Sequence, residues 1–218
     1  MGSGDTSRME SETRMESPAE FERWEKRYAA PEYVFGTEPN VFLKSQVGLL
    51  PKSGKALAVA DGEGRNGVWL AEQGLDVLSV DFSPTALAKA QTLARERGVT
   101  LRTIEADIIT WEWPNAEFDV VVGIFFQFVA PPERARIFAG IRKALKPGGL
   151  LLLEGYGPKQ LEYKTGGPSE LENLYTEELL RAEFAGFSEL ATKSYDSMMS
   201  EGTRHVGMAA LVDLVARK

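Results

Sequence analysis

The 218-residue chain contains no cysteine, which excludes disulfides, thiolate metal sites and cysteine nucleophiles. It holds one histidine, His205, too few for a histidine-built metal centre. No apolar run approaches the roughly 18 residues of a membrane span, and no basic start with an apolar core marks a secretory leader. Positive charge is in short supply too: 25 Lys and Arg stand against 32 Asp and Glu, a net charge of -7. Such a surface has no field to hold a polyanion, so the expected partner is a small molecule and not nucleic acid or a membrane. The expected address is the cytoplasm, as a monomer or homodimer. With 43% hydrophobic residues, the length suits one domain around one sizeable core.

What is present centres on Leu57 to Asp81. The apolar run Ala56 to Ala60 is short and unbroken, as in a parallel strand buried on both faces. Gly62, Gly64 and Gly67 follow at once, and residues without a Cβ let a backbone turn tightly and a ligand lie against it. A short helix from Asn66 to Gln73 stops at Gly74. A second apolar run then ends in Asp81, 19 residues after Gly62. A carboxylate at that distance can accept hydrogen bonds from both ribose hydroxyls of a nucleoside.

Residues 1–17 are polar and aperiodic and read as a disordered leader or cloning remnant. One domain is expected over 18–218. Its helical cap, residues 18–50, carries Phe21, Trp24 and Tyr28 on one face. Tyr33-Val34-Phe35-Gly36-Thr37-Glu38-Pro39 then leads into a helix capped near Thr37, with Val41, Phe42, Val47, Leu49 and Leu50 inward. Ser83-Pro84 starts a helix to Gly98; Val99 to Ile104 is a third strand and Phe118 to Phe126 a central one. The helix from Pro131 to Leu145 ends at Lys146-Pro147-Gly148-Gly149, before a fifth strand at Leu150 to Leu153. Trp111 and Trp113 are expected to cover the sheet edge. Residues 157–175 form a loop long enough for a substrate lid. Thr176 to Phe184 reads as a helix, and Ser188 to Tyr195 and His205 to Ala216 as strands with no helix between them. The pattern predicts an α/β fold: a doubly wound, Rossmann-like, mostly parallel seven-stranded sheet with an antiparallel C-terminal hairpin.

Taken alone, Gly62-Glu63-Gly64-Arg65-Asn66-Gly67 fits the dinucleotide fingerprint, so an NAD(P)-dependent oxidoreductase and a non-catalytic nucleoside-binding module are alternatives. With Asp107 just after strand three, Lys146-Pro147-Gly148-Gly149 before strand five, and a hairpin where a dehydrogenase would place another crossover, the chain resembles the class I S-adenosylmethionine-dependent methyltransferases over about residues 20–218. Within them it is most similar to the small bacterial tellurite-resistance and thiopurine-type enzymes. That likeness rests on Trp24 with Tyr28, residues 33–39, Gly62 to Asn66, Asp81-Phe82-Ser83-Pro84, Leu145 to Gly149 and Thr165-Gly166-Gly167-Pro168. The resemblance implies S-adenosylmethionine as cofactor, with methionine over Gly62 to Gly64, ribose on Asp81, and adenine near Phe82, Asp107 and Ile108. The family's first strand often carries an acid and ends in glycine, where this chain has Ala58 and Ala60. Asp61 and backbone carbonyls are therefore the candidates for the methionine ammonium. Arg65 is the candidate for its carboxylate or else a surface partner of Glu63; Asn66 belongs to the same cofactor-binding segment.

Methyl transfer from a sulfonium is an in-line displacement for which a protein mainly supplies alignment and a dry pocket. A thiolate or metalloid oxyanion needs no base, whereas a phenol, hydroxyl or ammonium does. The candidate catalytic groups are His205, Tyr156 and Glu154. Imidazole has the pKa for base work near neutrality, and the plainer reading of His205 is a hairpin residue with one hydrogen bond. Candidate substrate contacts are Trp24, Tyr28, Phe35, Gln127, Tyr163 and Arg204; Arg204 with His205 would suit an acidic substrate. The absence of thiols excludes arsenic methylation of the cysteine-dependent kind. The expected activity is methyl transfer to a small molecule, with a thiol, metalloid oxyanion or similar soft nucleophile favoured.

Overall fold

The computed structural model describes residues 18–218, so the leader reading of residues 1–17 lies outside the described residues. In chain order the helices are α1 (Pro18–Tyr28), α2 (Val41–Ser45), α3 (Arg65–Glu72), α4 (Pro84–Glu96), α5 (Pro131–Ala144), α6 (Gln160–Tyr163) and α7 (Glu177–Glu183). The strands are β1 (Lys55–Val59), β2 (Asp76–Asp81), β3 (Arg102–Glu105), β4 (Phe118–Ile124), β5 (Leu145–Tyr156), β6 (Glu189–Glu201) and β7 (His205–Arg217).

They form one seven-stranded sheet in the order β3-β2-β1-β4-β5-β7-β6. The first five strands are parallel, while β7 runs antiparallel to both β5 and β6, as the helix-free end of the sequence predicts. Side chains alternate between the faces of a strand. Leu57, Val59, Val121, Leu151 and Leu153 pack with Ile137, Phe138 and Ile141 of α5. Their neighbours Ala56, Ala58, Val120, Val122, Leu150 and Leu152 pack with Val68 and Leu70 of α3 and Leu93 of α4. Both faces are covered, which is why these strands read as unbroken apolar runs. Truncating one such core leucine to alanine costs about 2–5 kcal/mol.

Strand order reverses between β1 and β4, so their carboxyl ends diverge and open a crevice. Val59 stands opposite both Val80 and Gly123 in register, which brings Asp61, Asp81 and the end of β4 to the same rim.

Several local expectations are corrected. The second helix of the cap shrinks to α2, and its N-cap is Asn40, whose side chain accepts from the Leu43 N–H; Thr37 lies outside it. Phe42 and Leu43 are buried, but Val41 is 70% exposed, and Val47 and Leu49 also face solvent, because a 3-10 turn at Val47–Leu49 breaks the helical period. Strand β3 begins at Arg102, since Gly98 at φ +70° and a Val99 N–H bonded to the Ala94 carbonyl keep the chain in the helix-closing turn. Leu145 already pairs with Phe118, so Lys146-Pro147-Gly148-Gly149 lies within the span of β5. The final strands pair out to Glu201 and His205, leaving only residues 202–204 as the turn. Trp113 is buried against Gly140 of α5 and donates to the Ile108 carbonyl at 3.1 Å, which makes it core. Residues 157–175 are partly folded, with α6, a 3-10 turn at Leu171–Asn173, and buried Leu174 and Tyr175.

Candidate active site

The turn after β1 bends through left-handed backbone at Ala60, Gly62 and Gly64. A Cβ on Gly62 would come within 2.7 Å of the Tyr28 hydroxyl, and one on Gly64 within 2.5 Å of the Ala90 Cβ. Both positions therefore demand glycine, Gly62 to admit α1 and Gly64 to seat α4.

Two carboxylates frame this turn, Asp81 buried and Asp61 half-buried. Asp81 accepts from the Gly62 N–H at 2.8 Å and the Ser83 N–H at 3.0 Å, one bond to each oxygen. Asp61 accepts from the Gly67 N–H at 3.0 Å and the Ser79 hydroxyl at 3.2 Å. Burial dominates both titrations, raising Asp61 to about 7 and Asp81 to about 6 against the bonds that favour the charged forms. Each Asp81 oxygen keeps a further lone pair. Asp107, at the next strand tip, accepts from the Ile109 N–H at 2.9 Å.

Helix α1 lies across this end. Glu25 accepts from the hydroxyls of Ser83 and Thr85, fastening α1 to the start of α4. Phe21 meets Phe82 edge-on at 5.8 Å, Phe82 stacks with Phe128 at 6.2 Å, and Trp24 stacks on Tyr28 at 5.4 Å.

The other end is an aromatic chamber around His205. Its ring centroid is 4.5 Å from Phe35, 4.6 Å from Phe125 and 6.0 Å from Tyr156. Phe125 takes φ +56°, a conformation rare for a bulky residue, and this turns its ring onto both His205 and Tyr156. Burial lowers the His205 pKa, so the imidazole is neutral at pH 7. Its buried Nδ1 has no hydrogen bond and lies 3.8 Å from a Glu201 oxygen. Burial, then the Glu154 charge, pushes the Tyr156 hydroxyl up, so it stays protonated.

Beneath the chamber, Arg65 donates to Glu201 at 2.7 Å, with side chains 7% and 8% exposed. Glu201 also accepts from the Val41 N–H at 3.0 Å. Burial alone would raise Glu201, but its neighbours His205 and Arg65 outweigh it and hold the carboxyl at about 2. The pair ties helix α3 to the end of β6. Glu63 turns away, to Lys89 at 2.6 Å and the Val34 N–H at 2.7 Å, so a surface Glu63–Arg65 pair does not form.

One cavity of about 620 Å³ joins the two ends. Of the residues singled out from the sequence, Asp61, Gly62, Arg65, Asn66, Asp81, Phe82, Asp107, Ile108, Trp24, Tyr28, Phe35, Gln127, Tyr156, Arg204 and His205 line it. Glu154, Gly64 and Tyr163 do not. Glu154 lies below the wall, accepting from Asn40 at 2.6 Å; burial, then the Asp213 charge, raises its pKa. Gly64 is closed off by Ala90, and the Tyr163 ring, at the end of α6, carries Lys159 at 5.2 Å. Gln127 lines the wall, but its amide is occupied: it donates to the Tyr156 carbonyl at 2.9 Å and the Asn173 carbonyl at 3.2 Å and accepts from the Tyr156 N–H. Phe125, Phe126 and Phe128 line the wall, as core and pocket-wall aromatics should; sequence reasoning missed Arg27, which the i, i+4 spacing from Arg23 on α1 could have revealed.

Residues 56–149 match the family described as "Methyltransferase domain". Over 107 residues the chain is 35% identical to the glycine/sarcosine N-methyltransferase of Halorhodospira halochloris, which covers 46% of this chain and 39% of that protein. The chain thus spans about two fifths of that relative's length. Among solved structures it resembles one described as "Conversion of a Disulfide Bond into a Thioacetal Group during Echinomycin Biosynthesis", with TM-score 0.71, 17% identity, and coverage of 91% of this chain and 92% of the other. It also resembles TehB from Haemophilus influenzae, with TM-score 0.65, 17% identity, and coverage of 91% and 66%. These structural likenesses speak to the fold, while the domain match covers the glycine turn after β1 and the acid at the tip of β2. The antiparallel hairpin completes the fold shared with the solved structures.

Proposed function

We propose that the protein transfers the methyl group of S-adenosylmethionine to a small molecule through a soft nucleophilic atom, a thiol or a metalloid oxyanion. The observation that carries this is the single cavity running from the Gly62 turn and Asp81 to the aromatic chamber of His205. S-adenosylmethionine, when bound, would supply an electrophilic methyl carbon: a new bond from the acceptor lone pair to that carbon would replace its bond to sulfur, and the sulfur would leave as a neutral thioether.

The residues fit that group. Asp81 has lone pairs for ribose hydroxyls, Phe82 and Ile108 offer apolar surface for a purine beside Asp107, and Asp61 is a half-buried acid suited to a cationic ammonium. Both acids gain from a positive neighbour, because burial otherwise holds them near neutrality. At the acceptor end the rings of Phe35, Phe125 and Tyr156 exclude water, which favours a desolvated, easily polarised nucleophile. His205, neutral and backed by Glu201, takes the proton of a thiol at Nε2.

The experiment is incubation with S-adenosylmethionine and a panel of thiols, metalloid oxyanions and phenols, following S-adenosylhomocysteine. Turnover of thiols or oxyanions with a weaker response to phenols supports the reading. Turnover of phenols or amines alone contradicts the soft-nucleophile assignment.

A further inference from the structure

Three arginines meet on one wall of the cavity. Arg23 and Arg27 come from one side of α1, and Arg204 from the β6–β7 turn. The turn reaches them through a clasp: the Thr203 N–H donates to the Val34 carbonyl at 3.0 Å and its hydroxyl to the same oxygen at 3.2 Å. Gly202 makes the clasp possible, since a Cβ there would lie 2.4 Å from the Phe35 backbone. The same three arginines also line an outer recess of about 460 Å³, so the recess and the catalytic cavity share a wall. Glu20 is occupied by Arg23 and the Trp24 indole. Among the described residues, neither Arg27 nor Arg204 has a carboxylate partner. Arg27 lies over the Trp24 ring at 4.4 Å, which fixes its plane. Burial, then Arg23 and Arg204, lowers its pKa, as expected of like charges held together. Two guanidiniums kept close without a counter-charge are a recognition surface for an anion.

We infer that Arg27 and Arg204 form an anion subsite outside the His205 chamber, and that the acceptor has two parts: a soft nucleophile that enters the chamber and an anionic tail, carboxylate or phosphoryl, that stays between the arginines. The inference rests on the methyltransferase reading for the nucleophilic end only. The charge layout supports it: Asp61, Asp81 and Asp107 lie at the strand tips, whereas beside the arginines Glu20 is taken up by Arg23, and Glu32 on the recess wall forms no ion pair with Arg27 or Arg204 among the described residues.

The test is calorimetric titration with 6-mercaptohexanoate, 6-mercapto-1-hexanol and inorganic phosphate, each with and without S-adenosylhomocysteine. The wild type is compared with Arg27→Gln, Arg204→Gln and Arg27→Lys. The mercapto acid is expected to bind at least about tenfold more tightly than the alcohol, since a charge-assisted hydrogen bond contributes on that scale. That preference should fall to within about twofold in either Gln variant and return in part in Arg27→Lys. Competition by phosphate favours a phosphoryl tail; tight mercapto-acid binding that phosphate leaves unchanged favours a carboxylate. Equal binding of acid and alcohol by the wild type, or a preference that survives both Gln substitutions, overturns the subsite. Failure of S-adenosylhomocysteine to bind would instead overturn the methyltransferase reading, with the anion preference still read from the titrations without it.

Discussion

Replacing Glu201 with glutamine removes one charge from the buried pair that joins α3 to β6, and its cost can be worked from the structure. Glu201 is held at about 2 against an ordinary 4.5, which corresponds to about 3 kcal/mol in favour of the folded state at neutral pH. Glutamine can still accept from the Val41 N–H but leaves the Arg65 guanidinium buried without a counter-charge, a loss of about 3–5 kcal/mol in comparable pairs. The expected loss is therefore about 3 kcal/mol, read as a lower urea midpoint with an unchanged slope. The pH dependence has a definite sign. A depressed carboxyl contributes stability that is present above its unfolded value and lost as pH falls, so the wild type should lose this contribution between about pH 4.5 and 2 and the variant should not. Adding Arg65→Met to Glu201→Gln should recover part of the loss, because it removes the stranded charge. A loss below about 1 kcal/mol with the same pH profile in both proteins would refute the reasoning, since exposed pairs behave that way.

Other expectations follow from the same geometry. Asp61 and Asp81 have raised values of about 7 and about 6, so each stabilises the fold more at pH 4 than at pH 7; Asp81→Asn should flatten part of the decline in melting temperature over that range. A cationic donor favours their charged forms, so S-adenosylmethionine should bind more tightly at pH 8 than at pH 5.5 and release protons near pH 6.5, seen as a binding heat that varies with buffer ionisation enthalpy. Gly64→Ala places a methyl 2.5 Å from the Ala90 Cβ at φ +85° and should lower thermal stability by about 1–3 kcal/mol. Gln127→Ala leaves the Tyr156 N–H unpaired and should cost about 1–3 kcal/mol in urea unfolding while leaving the ranking of acceptors unchanged; a reordered acceptor panel would return Gln127 to a substrate role.

The parallel sheet was legible because buried strands and their helices carry strong local periodicity, and the order of signals Ala56 to Asp81 maps onto β1, α3 and β2 with shifts of a residue or two. The donor end was legible for the same reason: Gly62 and Asp81 lie on one supersecondary unit and are joined by a direct hydrogen bond. The acceptor end was harder, because it is assembled from distant segments. Glu154 looked suitable at a strand tip, yet its side chain turns to Asn40 and below the cavity wall. Arg65 was read against its sequence neighbour Glu63, while its partner Glu201 lies 136 residues away. The Phe125 ring is aimed by a positive φ that nothing in the residue type announces. Short periodic runs such as Val41 to Leu50 misled, since Asn40 and a 3-10 turn set the local structure there more strongly than the apolar spacing.

The central claim is that Asp81 and the Gly62 turn hold the nucleoside of S-adenosylmethionine. Calorimetric titration of the full chain and of Asp81→Ala with S-adenosylhomocysteine, S-adenosylmethionine and NADH tests it most directly. The account predicts saturable binding of the first two, weakened at least about tenfold in the variant by loss of charge-assisted hydrogen bonds, and no binding of NADH. Binding of NADH alone, or S-adenosylhomocysteine binding unchanged by Asp81→Ala, would contradict it.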